Sequence, residues 1–406
     1  MRPAKHNFTV LKQICQNIPA HLVSNLSREY GVDKKARSFS PWSHVVSMLH
    51  VQLAHSLSLN DVSDTLHNHS GVLTTIRRAT PPSRNGLSHA NKVRNPAMAE
   101  ALFWQVLSHI QNSHPKFGYD QKYSGVPKRF RKMIYAIDST TIPLVANCID
   151  WAKHRRRKAA AKCHMQLNLQ TFLPKFAIVK EASTHDSTEA YKLCANLESG
   201  EIAVFDKAYV DFKHLSDLDG RDVFWVLRAK DNMSYRVVKT QTQPKGKIIE
   251  DVLIQLTTVK SAKAYPQELR LVTARVMIND TETIMTFITN NMIWAPSSVC
   301  DLYKGRWGIE VFFKQIKQTL QLADFLGHSQ NAILWQVWMA MLAYILLRFV
   351  SYIGKWKGSF SRLFTLLRGV LFSRLEIFSV MESCGTARDS PRMIASPQQA
   401  CFLDFQ

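Results

Sequence analysis

The chain has 406 residues, 46% hydrophobic and 10% aromatic, which excludes a disordered protein and gives room for two or three domains. Its formal net charge is +21, and charge of that size on a folded chain points to a polyanionic partner, most often nucleic acid. The basic residues are spread along the chain, which speaks against a membrane surface, and the seven Cys form no C-x-x-C pair, as suits reduced cytosolic thiols.

The first residues, MRPAKHNFTVLKQICQ, lack the apolar stretch of a signal peptide, so a cytoplasmic protein is expected. Residues 1 to about 125 read as helical, without strand alternation. Trp42 to Leu57 is predicted as a helix, with Ser40 as N-cap and Pro41 at its first position. LNDVSDTL and LSHANKVR read as two short helices about a Pro-Pro-Ser turn at residues 81 to 83. Asn60 or Asp61 can cap the first and Ser88 the second. The second carries His89, Asn91, Lys92 and Arg94, which suits a helix read against DNA in a helix-turn-helix-like arrangement. An ordinary helical bundle with polar surfaces explains the same residues equally well.

After the basic bridge VPKRFRKM the texture changes. IYAIDSTTIPL is an apolar strand interrupted by Asp138, and HMQLNLQTF and KFAIVKEAS read as a hairpin closed near Leu173-Pro174. Before them, KHRRRKAAAKCH (153 to 164) reads as a basic loop offering Arg155, Arg156 and Arg157 to phosphates, or as a merely solvated loop. His164 and His185 are better read as strand-end polar residues than as metal ligands. A short helix is predicted from Ser187 to Leu197, and EIAVFDKAYV is a strand running into Asp206. From 211 to 289 come strand-like segments: VFWVLRAK, YRVVKTQ, LRLVTARVMI and TIMTFITN. Core packing is preferred over base stacking for Trp225 and Trp294.

The stretch YKGRWGIEVFFKQIKQ (303 to 318) is predicted as a helix, with Ile309, Phe313, Ile316 and Leu320 on one apolar stripe. Beside it Tyr303, Arg306, Glu310, Lys314 and Lys317 share a face within roughly 80°. Taken alone, that face is a solvated one with an i,i+4 Glu–Lys pair. Ala332 to Leu347 is apolar apart from Gln336, short for a bilayer span, and reads as a buried helix. The tail after about 350 supports no chemistry.

Two strands thus end in Asp138 and Asp206, and a later helix carries Glu310. A strand-end Asp is commonly only a turn former. The β-β-β-α-β order followed by a helix-borne Glu is more specific. Carboxylates converging from three elements repel and need cations between them. Oxygen ligands with open positions describe Mg²⁺ or Mn²⁺, and two such ions act on a phosphodiester during in-line attack.

The chain resembles the DDE transposases of bacterial insertion sequences, in the group named after insertion sequence four. The group's signature, Y-x2-R-x3-E-x6-K, is matched by Tyr303, Arg306, Glu310 and Lys317. YAIDSTTI and VFDKAYVDF match the two Asp motifs, and FLGHSQNAILWQVWMAMLAYILL resembles the closing helical region. Where many relatives have Asp-Arg-Gly-Tyr, this chain has Asp206-Lys207-Ala208-Tyr209, which puts the turn after the acid in question.

The resemblance implies an α/β fold: a ribonuclease-H-like catalytic core with a β-rich insertion between the second Asp and the Glu. An α-helical N-terminal DNA-binding domain precedes it. The expected divisions are 1–127, the helical domain; 128–210, the first part of the core; 211–289, the insertion; 290–350, the second part of the core; and 351–406, a tail for dimerisation or capping. Asp138, Asp206 and Glu310 become the catalytic acids holding two Mg²⁺ (or Mn²⁺) ions. Tyr303, Arg306 and Lys317 hold DNA phosphates; Lys314 is added from the helix face alone. The implied activity is metal-dependent cleavage and strand transfer on double-stranded DNA at terminal inverted repeats and target. A nucleoid-associated homodimer would carry it out, without a membrane. An inert sequence-specific DNA-binding regulator and a stand-alone nuclease of the same fold remain as alternatives.

Overall fold

Polar residues punctuate the helices in the computed structural model, which describes residues 3–34, 38–119, 130–144, 153–154, 158–181, 186–278, 281–319 and 325–384. In chain order these are α1 (Val10–Cys15), α2 (Ala20–Glu29), α3 (Pro41–Ala54), α4 (Leu59–Asn68), α5 (Ser70–Thr75), α6 (Arg84–Val93) and α7 (Ala97–Ser113). There follow β1 (Ile134–Leu144), β2 (Lys153–His154), β3 (Lys158–Asn168), β4 (Leu173–Glu181), α8 (Asp186–Leu193), β5 (Ile202–Phe205), α9 (Phe212–Gly220) and β6 (Phe224–Arg228). Then come β7 (Tyr235–Thr240), β8 (Ile248–Leu256), α10 (Val259–Ala264), β9 (Leu269–Ile278) and β10 (Thr281–Thr289). The last are α11 (Pro296–Gly305), α12 (Trp307–Thr319), α13 (Gln330–Ile353), α14 (Phe360–Arg368) and α15 (Ile377–Cys384).

The chain divides into two compact units, and the first gathers the described parts of residues 1–117, 142–160 and 314–394. Ser40 caps α3 as expected, its Oγ accepting from the Ser43 amide at 3.0 Å, with Pro41 at the first turn. Two caps differ from expectation. Ser58, not Asn60 or Asp61, opens α4 by accepting from the Asp61 amide at 3.1 Å. Ser83, not Ser88, opens α6 through the Gly86 amide at 3.1 Å. Both runs hold several capping residues within a few positions, and the helix takes the earlier one.

Helix α13 is the core of this unit. It is long and apolar enough to cross a membrane, yet almost all of it is buried among protein. Helices α3, α6 and α7 pack on it, and the Trp335 indole donates to the Arg94 carbonyl at 3.0 Å. Burying a Leu, Ile or Phe is worth roughly 1.5–3 kcal/mol, so so apolar a helix draws the N-terminal helices around it. The helices of the first 117 residues therefore share their core with α13.

The second unit takes the described parts of residues 118–141 and 161–313. Its sheet runs β4-β3-β1-β5-β6-β10-β9-β8-β7. Strands β1, β5 and β6 are mutually parallel; from β6 through β10, β9, β8 and β7 every pairing is antiparallel. The expected β-β-β-α-β succession is present as β1, β3, β4, α8 and β5, a mixed α/β arrangement consistent with a ribonuclease-H-like core. The four residues of β5, IAVF, are all buried, as a central parallel strand requires.

Two sequence expectations change here. Lys158 to His164, read as part of a basic loop, forms the first half of β3. The stretch 211–289 is not purely β: it begins with α9 crossing over to β6, which lies parallel beside β5. Strands β7 to β10 then extend the same sheet. The buried Arg270 of β9 clamps Asp251 of β8 with two bonds, 2.7 Å and 2.8 Å, and donates to the Trp294 carbonyl just before α11 at 2.5 Å. Trp225 is fully buried, and Trp294 packs against Phe130 and Phe224, so both serve packing.

Candidate active site

Strands β1 and β5 pair in register from Ile134↔Ile202 to Ile137↔Phe205. The next residue on each is an Asp, so Asp138 and Asp206 emerge side by side where the parallel pairing stops; Asp206 follows the end of β5 as expected, whereas β1 does not end at Asp138 but runs on to Leu144. Side chains level with one another on adjacent strands project from the same face, and strands lie about 4.8 Å apart. One hydrogen bond is the same at both. Asp138 Oδ1 accepts from the Ser139 amide and Asp206 Oδ1 from the Lys207 amide, each at 2.7 Å. Ala208 lies in the short 3₁₀ turn Lys207–Tyr209 and not at a positive φ, so the missing Gly leaves that turn intact.

The third acid arrives on α12. The sequence suggested one helix across 303 to 318; the structure breaks it at Arg306, which closes α11 and leads into α12. Ile309, Phe313 and Ile316 are buried as the apolar stripe required, while Leu320 lies outside the described residues. Gly308 permits close approach to the turn between β3 and β4. A Cβ there would lie 3.3 Å from Leu169 and 3.4 Å from Phe172.

The break aims Arg306 at the acids. Its Nη1 donates to Asp138 Oδ2 at 2.8 Å and its Nη2 to Glu310 Oε1 at 2.6 Å. The Tyr303 hydroxyl donates to Asp206 Oδ1 at 3.3 Å, and its ring packs 4.8 Å from Phe287. Arg306 and Tyr303 are both buried, at 6% and 4% exposure, so neither belongs to a solvated face. The structure turns both toward carboxylates.

Electrostatics follows from this crowding. Burial pushes the Asp138 carboxyl up to about 6; Arg306 and the Ser139 amide oppose that rise, while Glu310 and Asp206 add to it. Burial also works against the Arg306 charge, but Asp138 above all, with Tyr303, Glu310 and Asp206, drives its pKa upward. Burial and the nearby Asp206 push the Tyr303 phenol up to about 12.

Among the described residues no three His, Cys, Asp or Glu side chains close on one point as metal ligands do, and Arg306 lies between two of these acids. The donor set nonetheless fits a hard divalent cation. All three groups are carboxylates, and one guanidinium does not balance their charge. His164 is buried on β3 outside any such group, and His185 lies outside the described residues.

Lys314 and Lys317 sit half-buried on α12, one and two turns beyond Glu310. Arg155, Arg156 and Arg157 lie outside the described residues. Sequence reasoning missed Arg228. Strands β5 and β6 pair from Ile202↔Phe224 to Phe205↔Leu227, so Arg228 follows in the same row as Asp138 and Asp206. It is half-buried, lies close enough to Tyr303 to act on its charge, and forms no ion pair among the described residues. Its signal was the position straight after the apolar run VFWVL, the place that Asp138 and Asp206 hold on their own strands.

Comparison with known proteins gives two family matches: the transposase DDE domain over residues 129–346, and a domain of unknown function (DUF4372) over 6–76. The chain is similar to a putative transposase, y4zB, of Sinorhizobium fredii, with 30% identity over 79% of this chain and 86% of the relative. It is 27% identical to a probable transposase for insertion sequence element IS5377 of Geobacillus stearothermophilus, over 55% of this chain and 58% of that protein. It is 26% identical to the transposase InsG for insertion sequence element IS4 of Escherichia coli, over 45% and 42% respectively.

Proposed function

The chain belongs to the DDE transposase family, whose members cleave DNA and transfer strands with divalent metal ions, and we propose how its residues divide that work. Asp138, Asp206 and Glu310 hold two ions, Mg²⁺ or Mn²⁺. Once bound, such ions make an oxygen nucleophile available and stabilise the leaving oxygen at a phosphodiester. The observation that carries the assignment is the register of β1 and β5, which sets Asp138 beside Asp206, with Arg306 joining Asp138 to Glu310.

The protein's own groups do the positioning. The amides of Ser139 and Lys207 each fix one carboxylate oxygen of their neighbouring Asp. Tyr303 steadies Asp206 through its hydroxyl. Arg228, Lys314 and Lys317, with Arg155, Arg156 and Arg157, engage DNA phosphates, and Arg306 and Tyr303 join them when DNA lies over the site. The N-terminal helices α1 to α7 read the terminal inverted repeats, and two copies act on paired ends before attacking target DNA.

The test is a duplex carrying the element's own terminal repeat, incubated with purified protein and Mg²⁺. We expect cleavage at the repeat boundary, none without a divalent ion, and none with Asp206→Asn. Binding without cleavage would mark an inert regulator. Cleavage of any duplex at equal rate would mark a nuclease without end recognition.

A further inference from the structure

Arg306 stands where two duties conflict. Its guanidinium spans acids on different elements, Asp138 of β1 and Glu310 of α12, at 2.8 Å and 2.6 Å. Both terminal nitrogens are thereby committed to carboxylates, and charge-assisted bonds of this kind are strong and directional. The same two nitrogens form the fork that would grip a phosphate. The carboxylates they occupy, Asp138 and Glu310, are in turn two of the three acids read as metal ligands. The third nitrogen, Nε, is buried without a hydrogen-bond partner among the described residues, so the side chain is incompletely satisfied where it lies. Its backbone sits at the junction of α11 and α12.

We propose that Arg306 is a displaceable internal cation: it bridges Asp138 and Glu310 until a divalent ion takes its place, and the freed guanidinium then binds the DNA backbone. Metal loading and DNA engagement are thereby coupled through one side chain. The coupling is reciprocal, because whatever DNA does to metal affinity, metal does to DNA affinity. The proposal rests on the reading of the three acids as ligands of divalent ions.

The experiment measures Mn²⁺ binding to the full-length chain by the loss of the free-ion paramagnetic resonance signal, for wild type and Arg306→Gln, with and without duplex DNA. Without DNA, the variant should bind Mn²⁺ about tenfold more tightly, since its competitor is gone; tenfold corresponds to about 1.4 kcal/mol. DNA should tighten Mn²⁺ binding in wild type several-fold more than in the variant. A second measurement needs no variant: phenylglyoxal modification of Arg306, located by peptide mass, should rise several-fold when Ca²⁺ is added and fall again with DNA. Equal or weaker Mn²⁺ binding by Arg306→Gln, or Arg306 reactivity indifferent to Ca²⁺, overturns the proposal and leaves the metal reading standing. If wild type binds no Mn²⁺ at millimolar concentration and Arg306→Gln binds none either, the proposal falls together with the reading beneath it.

Discussion

Glu310→Gln removes one negative charge while preserving side-chain length and helix propensity. In the structure the change converts a 2.6 Å ion pair with Arg306 into a neutral hydrogen bond, because the amide oxygen still accepts from Nη2. The Glu310 side chain is 38% exposed, so solvent screens the pair and its loss costs about 1 kcal/mol at most. Glu310 is also one of the like charges that hold the Asp138 carboxyl up, so its removal returns part of that. The melting temperature should therefore move by no more than about 4 °C. DNA binding should be unchanged or slightly tighter, with one carboxylate fewer facing a polyanion.

Cleavage is a different matter. A ligand lost from a metal site that works on a phosphodiester should lower the rate by about 10³-fold or more, equivalent to about 4 kcal/mol of barrier. The assay pairs a gel shift with single-turnover cleavage of a labelled end duplex in Mg²⁺. If Glu310→Gln binds normally and cuts within about tenfold of wild type, the assignment of the three acids fails. Glu310 would then be an ion-pair partner of Arg306 and nothing more.

Arg228→Gln should weaken DNA binding and reduce the slope of log K against log salt by roughly 0.9, the value for one lost phosphate contact on duplex DNA. Lys317→Ala should do the same, and an unchanged slope would return either residue to an ordinary surface role. Arg270→Met leaves Asp251 buried without its clamp and should cost about 3–5 kcal/mol in urea denaturation; a loss under about 1 kcal/mol would refute the clamp. Burial depresses the ring pKa of His44 to about 3, of His50 to about 4 and of His214 to about 4, so each is neutral in the fold. Between the unfolded value near 6.5 and those folded values the unfolded chain binds more protons. Stability should thus be full above about pH 6.5 and fall by about 1.4 kcal/mol per pH unit per histidine as pH drops. A flat urea midpoint from pH 7 to 5 would contradict that.

The residues proposed to carry chemistry were legible because they break pattern. An Asp straight after an apolar run, twice, and a Glu at fixed spacing from Tyr, Arg and Lys are local signals, and the structure sets the two aspartates side by side. What stayed hidden depends on pairing. Nothing local tells that Phe205 stands beside Leu227, so nothing local could place Arg228 in the acidic row. The choice of Ser58 and Ser83 as caps is likewise a contest among several competent residues. The largest surprise is α13. Its burial could be read from its apolar run, but not that the N-terminal helices build their core on a helix more than two hundred residues away.

Arg306 shows the same limit at the scale of one side chain. On a continuous helical wheel it shares a strip with Glu310, Lys314 and Lys317, and a strip of that kind ordinarily faces water. The helix instead breaks at Arg306, and the break lets the guanidinium reach a strand as well as its own helix. Three carboxylates drawn together in a protein of net charge +21 would otherwise repel both one another and the DNA backbone. A cation held between them keeps the acids close without a metal, and its charge is of the sign that both a divalent ion and a phosphate must meet there. The arginine in the signature is therefore explained by the acids it sits among as much as by the DNA it is expected to hold.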